Sequence, residues 1–339
     1  MIDNLQKRLL YIDLMRAIII LFLIVMHSFT MYSGTNPSWP LPDTIYPIKL
    51  YVWIQKYTYA FLLESFTFIS GYIYSYGISK KVGTPSFFSL FLNKFKRLII
   101  PSIVFSIMFA LIFGPSIRLN IRTIYDILMG IGHMWYLPML FLCFIITHLV
   151  NKTKISEDIA IGLIIIISVF SFLVPNYMRI SQALYYELFF YLGYIFNQKN
   201  IVVKKNYKSG LVLVVLVPAL LYVNESLYIQ NVLLYKTASN FVKIAYATLG
   251  SVALFSLCKN VFTTIKSKTM CTIVELSTLS MGIYLIQEFI IRIFYYKTPI
   301  PVLCGSITLP WITSLLTIVI STVLALLFRK NKIGRFIIG

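Results

Sequence analysis

The chain has 339 residues, 59% hydrophobic and 12% charged, with a mean hydropathy of +0.83. Soluble domains carry about 25% charged residues, so a water-soluble globular protein is excluded and an all-α, polytopic membrane helical bundle is expected. The net charge of +19 does not indicate a nucleic-acid partner, because the Lys and Arg residues sit in short connectors between apolar runs, where they act as topology signals.

A membrane-crossing helix needs about 20 apolar residues. Runs near that length predict about ten helices in one integral membrane domain spanning 1–339. In chain order they are Leu9–Met31, Tyr57–Tyr76, Leu98–Phe113, Met134–Val150, Ile159–Val174, Ala183–Phe196, Gly210–Tyr222, Ile244–Cys258, Val274–Ile293 and Leu309–Phe328. The first run is too long for a signal-peptide core and has no small-residue cleavage site, so it is expected to be retained. Pro218 interrupts the seventh run, and Asn224 and Glu225 follow it closely. Cys143, Cys258, Cys271 and Cys304 have no paired short spacing, so neither a zinc site nor a disulfide framework is expected.

Orientation follows from the basic residues. One side collects Lys7, Arg8, Lys80, Lys81, Lys94, Lys96, Arg97, Lys152, Lys154, Lys199, Lys204, Lys205, Lys208, Lys259, Lys266, Lys268, Arg329, Lys330, Lys332 and Arg335. The other has Lys49, Lys56, Arg118, Arg122, Arg179, Lys236 and Lys297. Cytoplasmic loops are enriched in Lys and Arg, so both termini are expected in the cytoplasm. The longest outer connector, Tyr32–Lys56, holds Pro37, Pro40, Pro42, Pro47, Trp39 and Trp53. It is suited either to capping a cavity or to anchoring at the interface.

The first run, YIDLMRAIIILFLIVMHSF, carries Asp13, Arg16 and His27. Charged groups in hydrocarbon are costly and generally face a bundle interior or a wet cavity. Arg16 and His27 are eleven residues apart, which at about 100° per residue places both on one face, ~16 Å apart along the axis. Arg16 then lies toward the cytoplasm and His27 in the outer half. One reading has Arg16 snorkelling beside Asp13 and His27 making a single interhelical hydrogen bond. Two polar groups on one stripe favour the other reading, a functional pathway. Glu64, His133, Trp135, Glu187, Gln287, Glu288 and Arg292 are also placed in the outer half. Histidine and carboxylates at one level suit acid–base chemistry, although Glu288 and Arg292, at i and i+4, also suit simple neutralisation. His148 falls near the inner end of its helix and is read as structural.

These segments resemble the acyltransferase-3 family, integral membrane acyltransferases that modify bacterial surface glycans. The resemblance rests on YIDLMRAIIILFLIVMH with its Arg and His, FTFISGYIYS (Phe66–Ser75), KFKRLIIPSI (Lys94–Ile103) and GHMWYLPMLF (Gly132–Phe141). It extends through FFYLGYIF, LSTLSMGIYLIQEFI and the closing GRFIIG, in family order from end to end. Two positions depart from the family pattern: Gln287 stands where a His is usual, and Glu64 stands where apolar residues or Pro are usual. The resemblance implies a multi-pass protein of the bacterial cell membrane that moves an acyl group, acetyl above all, from acyl-CoA to a glycan hydroxyl. It implies catalytic roles for His27 and Arg16, with His27 acting as general base or transient acyl carrier. It also implies CoA-phosphate binding by Arg16 and Arg97, and acceptor binding by His133, Trp135 and Glu64. Acyl-CoA is then a substrate, with no permanently bound cofactor and no metal. The same scaffold would also suit a polysaccharide exporter, or an acyltransferase acting on a lipid or small molecule.

Overall fold

The computed structural model of the protein describes residues 9–34, 37–80, 84–114, 120–153, 155–201 and 208–338. Lys7, Arg8, Lys81, Arg118, Lys154, Lys204 and Lys205, which enter the orientation count, lie outside these residues. Among the described residues every regular element is a helix. The main ones are α1 (Leu10–Phe29), α2 (Lys49–Tyr59), α3 (Leu62–Lys80), α4 (Phe87–Lys94), α5 (Ile100–Phe113), α6 (Ile121–Leu128), α7 (Tyr136–Val150) and α8 (Glu157–Val169). They continue with α9 (Ile180–Gln198), α10 (Lys208–Leu211), α11 (Val217–Ser226), α12 (Val232–Val261), α13 (Ser267–Lys297), α14 (Ile300–Lys330) and α15 (Lys332–Ile338).

The ten apolar runs are largely helical, although Tyr57–Tyr76 is broken at Ala60–Phe61 and Ile159–Val174 leaves its α-helix after Val169; seven helical stretches among the described residues are long and apolar enough to cross a membrane. These are Leu10–Ser33, Phe87–Phe113, Gly132–Val150, Lys208–Ser226, Val232–Thr264, Ser267–Lys297 and Ile300–Lys330. The expected count of about ten is therefore not met by length and composition. Three runs fall short for physical reasons. α3 is diluted by Glu64, Ser65, Thr67, Ser70, Ser75 and Lys80. α8 has 13 residues and spans about 20 Å, against a hydrocarbon core of about 30 Å. α9 carries Gln182, Glu187, Asn197 and four tyrosines. Seven crossings would put the two ends of the chain on opposite sides, so both termini share a side only if one or all three of these helices also cross. Reporter fusions after Asn200 and at Gly339 (which lies outside the described residues) are expected to read cytoplasmic, as the basic-residue asymmetry requires. Opposite readings at the two points would require an odd number of crossings between them and break the ten-helix arrangement.

The chain forms two compact units. The first comprises 1–63, 204–221 and 249–339. Here α1 packs against α13, α14 and α2. The buried face of α14 combines Leu309 and Pro310 with small residues, Ser306, Thr313, Ser314, Thr317, Ser321 and Ala325. Small residues let membrane helices approach closely. At one end of α1, the Tyr32 and Tyr51 hydroxyls donate to the carbonyls of Ser306 (2.6 Å) and Ile307 (2.7 Å). Phe29 meets the rings of Tyr51 and Trp311 edge-on, each at 4.9 Å.

The second unit comprises 64–203 and 222–248. In it α9 packs on α7 and α8. α3 crosses α9 closely, at two glycines. A Cβ on Gly71 would lie 1.9 Å from the Phe190 carbonyl oxygen, and one on Gly193 would lie 1.9 Å from that of Phe68. The FTFISGYIYS and FFYLGYIF segments are thus the two halves of one backbone contact. Gly193→Ala is expected to lower the thermal stability of the purified protein by about 3 kcal/mol, the upper end for overpacking, because the obstructing atoms are backbone. Gly77→Ala, with nothing within 4 Å of its Cβ position, is the matched control and should be neutral or stabilising. Equal melting temperatures for the two variants would contradict the contact.

Preceding α5, Phe95–Ile99 winds as a π turn, and the Ile100 N–H reaches back to the Phe95 carbonyl. Pro101 has no N–H to give the Arg97 carbonyl, which is the local cause of the widened turn.

Candidate active site

In the first unit α1 carries Arg16 and His27 on one face, both part-buried. α13 brings Gln287, Glu288 and Arg292 to His27. The imidazole Nδ1 lies 2.9 Å from Gln287 Oε1 and 2.7 Å from Gln287 Nε2. On the opposite edge of the ring, Nε2 faces Glu288 Oε2 at 4.0 Å. The other carboxylate oxygen, Glu288 Oε1, accepts from Arg292 Nε at 2.7 Å. Arg292 Nη1 donates in turn to the Ser38 carbonyl at 2.7 Å. Trp39 lies nearly parallel to the His27 ring, with centroids 6.2 Å apart and 11° between planes. The Arg292 guanidinium sits 4.1 Å from the Trp39 ring centre. Gln287, Glu288, Arg292 and Trp39 are all buried.

Of the two uses open to the Pro-rich connector, this places Trp39 as a cover over His27. Trp53 is exposed. The i,i+4 pairing of Glu288 with Arg292 also exists, but it engages only one carboxylate oxygen and leaves the second toward the imidazole. Asp13 accepts from the Ser277 hydroxyl at 2.7 Å and so ties the N-terminal half of α1 to α13. A neutral imidazole whose Nδ1–H donates to Gln287 Oε1 keeps a basic Nε2. A carboxylate beside that nitrogen stabilises the imidazolium formed when it takes a proton. The cluster has the parts of an acid–base centre held in place by a second residue layer.

The other four expected site residues lie in the second unit. Glu64 is buried at 6% exposure, with Tyr185 and Tyr186 among its neighbours. Trp135 is half-buried, with its ring 6.0 Å from Tyr186. The structure therefore joins Glu64 and Trp135 through α9 tyrosines. His133 is buried in the turn Gly132–Trp135 that opens α7. That turn is anchored from both sides. Ser106 Oγ accepts from the Ile131 N–H at 3.0 Å. Arg179 donates to the carbonyls of Met129 and Gly130, each at 2.9 Å. Arg97 is exposed on the π turn, and its neighbour Lys94 places its ammonium 3.5 Å from the Phe144 ring centre.

Gln287, Glu288, Arg292 and Trp39 are the site residues that sequence reasoning did not assign to the reaction. Their signal was present as polar residues in an apolar run, but the His27–Gln287 contact joins residues 260 apart in the chain. His148 bonds the Tyr74 hydroxyl at 3.0 Å within the helix packing. Glu187, in the second unit, is buried and accepts from Thr147 at 2.6 Å.

No curated protein sequence and no solved structure matches the chain. A family model described as an acyltransferase domain matches residues 9–330, nearly the whole length, including the helix bearing Arg16 and His27 and the helix bearing Gln287 and Glu288. Together with the apolar helices on which these residues are carried, that match makes the chain a membrane protein belonging to the acyltransferase-3 family.

Proposed function

We propose that the protein transfers an acyl group, acetyl foremost, from acyl-CoA to a hydroxyl of a cell-surface polysaccharide or its lipid-linked precursor in the bacterial cell membrane. The observation that carries this reading is His27 held between Gln287 and Glu288 in the chain of an acyltransferase-family protein. In the proposed reaction His27 Nε2 takes the proton of the acceptor hydroxyl as its oxygen attacks the thioester carbonyl. The carbon–sulfur bond then breaks, and the imidazolium returns the proton to the leaving CoA thiolate. Ester and free thiol form with no net proton change. Gln287 fixes the ring tautomer and Glu288 stabilises the imidazolium, while Trp39 keeps water from the acyl group.

Arg16, about 16 Å from His27 along α1, binds the donor through its guanidinium, and Arg97 is assigned to the CoA phosphates. His133, Trp135 and Glu64 are assigned to acceptor recognition. Arg16→Lys tests the donor role: it keeps the charge but loses the fixed fork of donors. The expected outcome is an acyl-CoA KM raised about tenfold with kcat less affected, as loss of one charge-assisted bond implies. An unchanged KM for acyl-CoA would reduce Arg16 to a snorkelling residue.

A further inference from the structure

We propose that the end of α14 and α15 form a binding site for one anionic phospholipid of the leaflet on the basic-rich side of the protein. A cavity of about 550 Å³ there is lined by Val323, Leu326, Leu327, Arg329, Lys330 and Arg335. No acidic side chain is among these residues. The inference does not rest on the acyl-transfer reading.

Arg329 and Lys330 alone would be ordinary, because cations near a helix C-terminus complement its carbonyl dipole. The third charge is what the fold adds. α14 stops at Asn331, whose side-chain oxygen accepts from the Gly334 N–H at 2.5 Å and caps the next helix. The Arg335 N–H then bonds the Asn331 carbonyl at 3.1 Å. The corner closes so tightly that a Cβ on Gly334 would lie 1.9 Å from the Phe328 carbonyl oxygen. This turns α15 back and brings Arg335 to the same concavity as Arg329 and Lys330.

The apolar wall decides the occupant. Val323 (49%), Leu326 (37%) and Leu327 (50%) are exposed along the last turns of α14. They continue the lipid-facing row of Leu315, Leu316 and Val319. Ile333 and Phe336 of α15 are also exposed, while Gly334 and Ile338 are buried. That is the division expected of a short helix lying in the membrane interface. A soluble phosphate would use only the cations and leave the aliphatic wall uncovered. A phospholipid places its phosphate among the three cations and an acyl chain along Val323 and Leu327.

The test is native mass spectrometry of the full-length protein extracted from nanodiscs of phosphatidylcholine doped with phosphatidylglycerol. The wild-type protein is expected to retain phosphatidylglycerol selectively. Each basic residue at a membrane surface contributes about fivefold to anionic-lipid binding, so Arg329→Gln/Lys330→Gln/Arg335→Gln should weaken retention about a hundredfold. Lys152→Gln/Lys266→Gln/Lys268→Gln removes the same charge from exposed positions elsewhere on the chain and should leave retention unchanged. Leu327→Trp keeps every cation but fills the apolar wall, and should lower retention by itself; it decides the matter if the triple variant does not fold. Equal lipid loss from the two triple variants would overturn the proposal. So would wild-type retention after Leu327→Trp, or displacement of the lipid by inorganic phosphate, which would mark a free-anion site.

Discussion

His27→Gln is expected to insert and accumulate like the wild-type protein while acylation of the acceptor falls by about a hundredfold or more, the range for loss of a general base. The substitution is chosen because glutamine keeps a hydrogen-bonding group that can still meet the Gln287 amide, so α1 and α13 remain joined. What it removes is a nitrogen able to take a proton near neutral pH. A buried imidazole that served only to bridge two helices would be replaced by this amide at the cost of one hydrogen bond, about 1 kcal/mol, with no kinetic effect. The measurement is single-turnover acyl transfer from labelled acyl-CoA by purified protein, with melting temperature recorded alongside. Full transfer in a stably folded His27→Gln protein would remove His27 from the chemistry.

Glu288→Ala is expected to have the second-largest effect, and it acts in two separable ways. It strands Arg292, which is 7% exposed, without its carboxylate. Breaking a buried pair by removing one partner costs about 3–5 kcal/mol. It also takes away the carboxylate 4.0 Å from His27 Nε2. At that distance a carboxylate favours an imidazolium by up to about 4 kcal/mol at an effective dielectric of ~20. A second change separates the two. Glu288→Ala/Arg292→Leu removes both charges, and replacing a buried pair by apolar side chains is often neutral or stabilising. Thermal stability should return in the double variant. Activity should not, remaining on the order of a hundredfold below wild type, because the imidazolium is still unsupported. Recovery of activity together with stability would make Glu288 a purely structural partner of Arg292.

The positions of the helices were largely legible in the sequence, because apolar runs in a membrane protein carry their own signal; only the break at Ala60–Phe61 and the early end of α8 depart from the ten runs. The number of crossings was less legible. Length and hydropathy were read together, whereas α3 and α9 have the length without the apolarity and α8 the apolarity without the length. At the site, the shared face of Arg16 and His27 follows from helical periodicity alone and needs no tertiary information. The Glu288–Arg292 pair was legible for the same reason. That the second Glu288 oxygen faces His27 was not, since it depends on how α13 lies against α1. Trp39 was visible as an aromatic in a Pro-rich connector, but no local pattern distinguishes a ring that covers an imidazole from one that rests at an interface. Gly71 and Gly193 stand in the sequence only as parts of family-like segments, while their meeting across α3 and α9 is a matter of packing. Glu64 departs from the family pattern, and its partners Tyr185 and Tyr186 lie on a helix that the sequence gives no reason to pair with it.

The most direct measurement is whether an acyl group reaches a surface glycan through this protein. Mass spectrometry of surface glycans from cells with and without the gene measures this. The expected result is a glycan lacking one acyl mass in the deletion strain, restored by the wild-type gene and not by His27→Gln. Identical acylation in both strains, with glycan trapped inside the deletion cells, would contradict the account and make the protein an exporter.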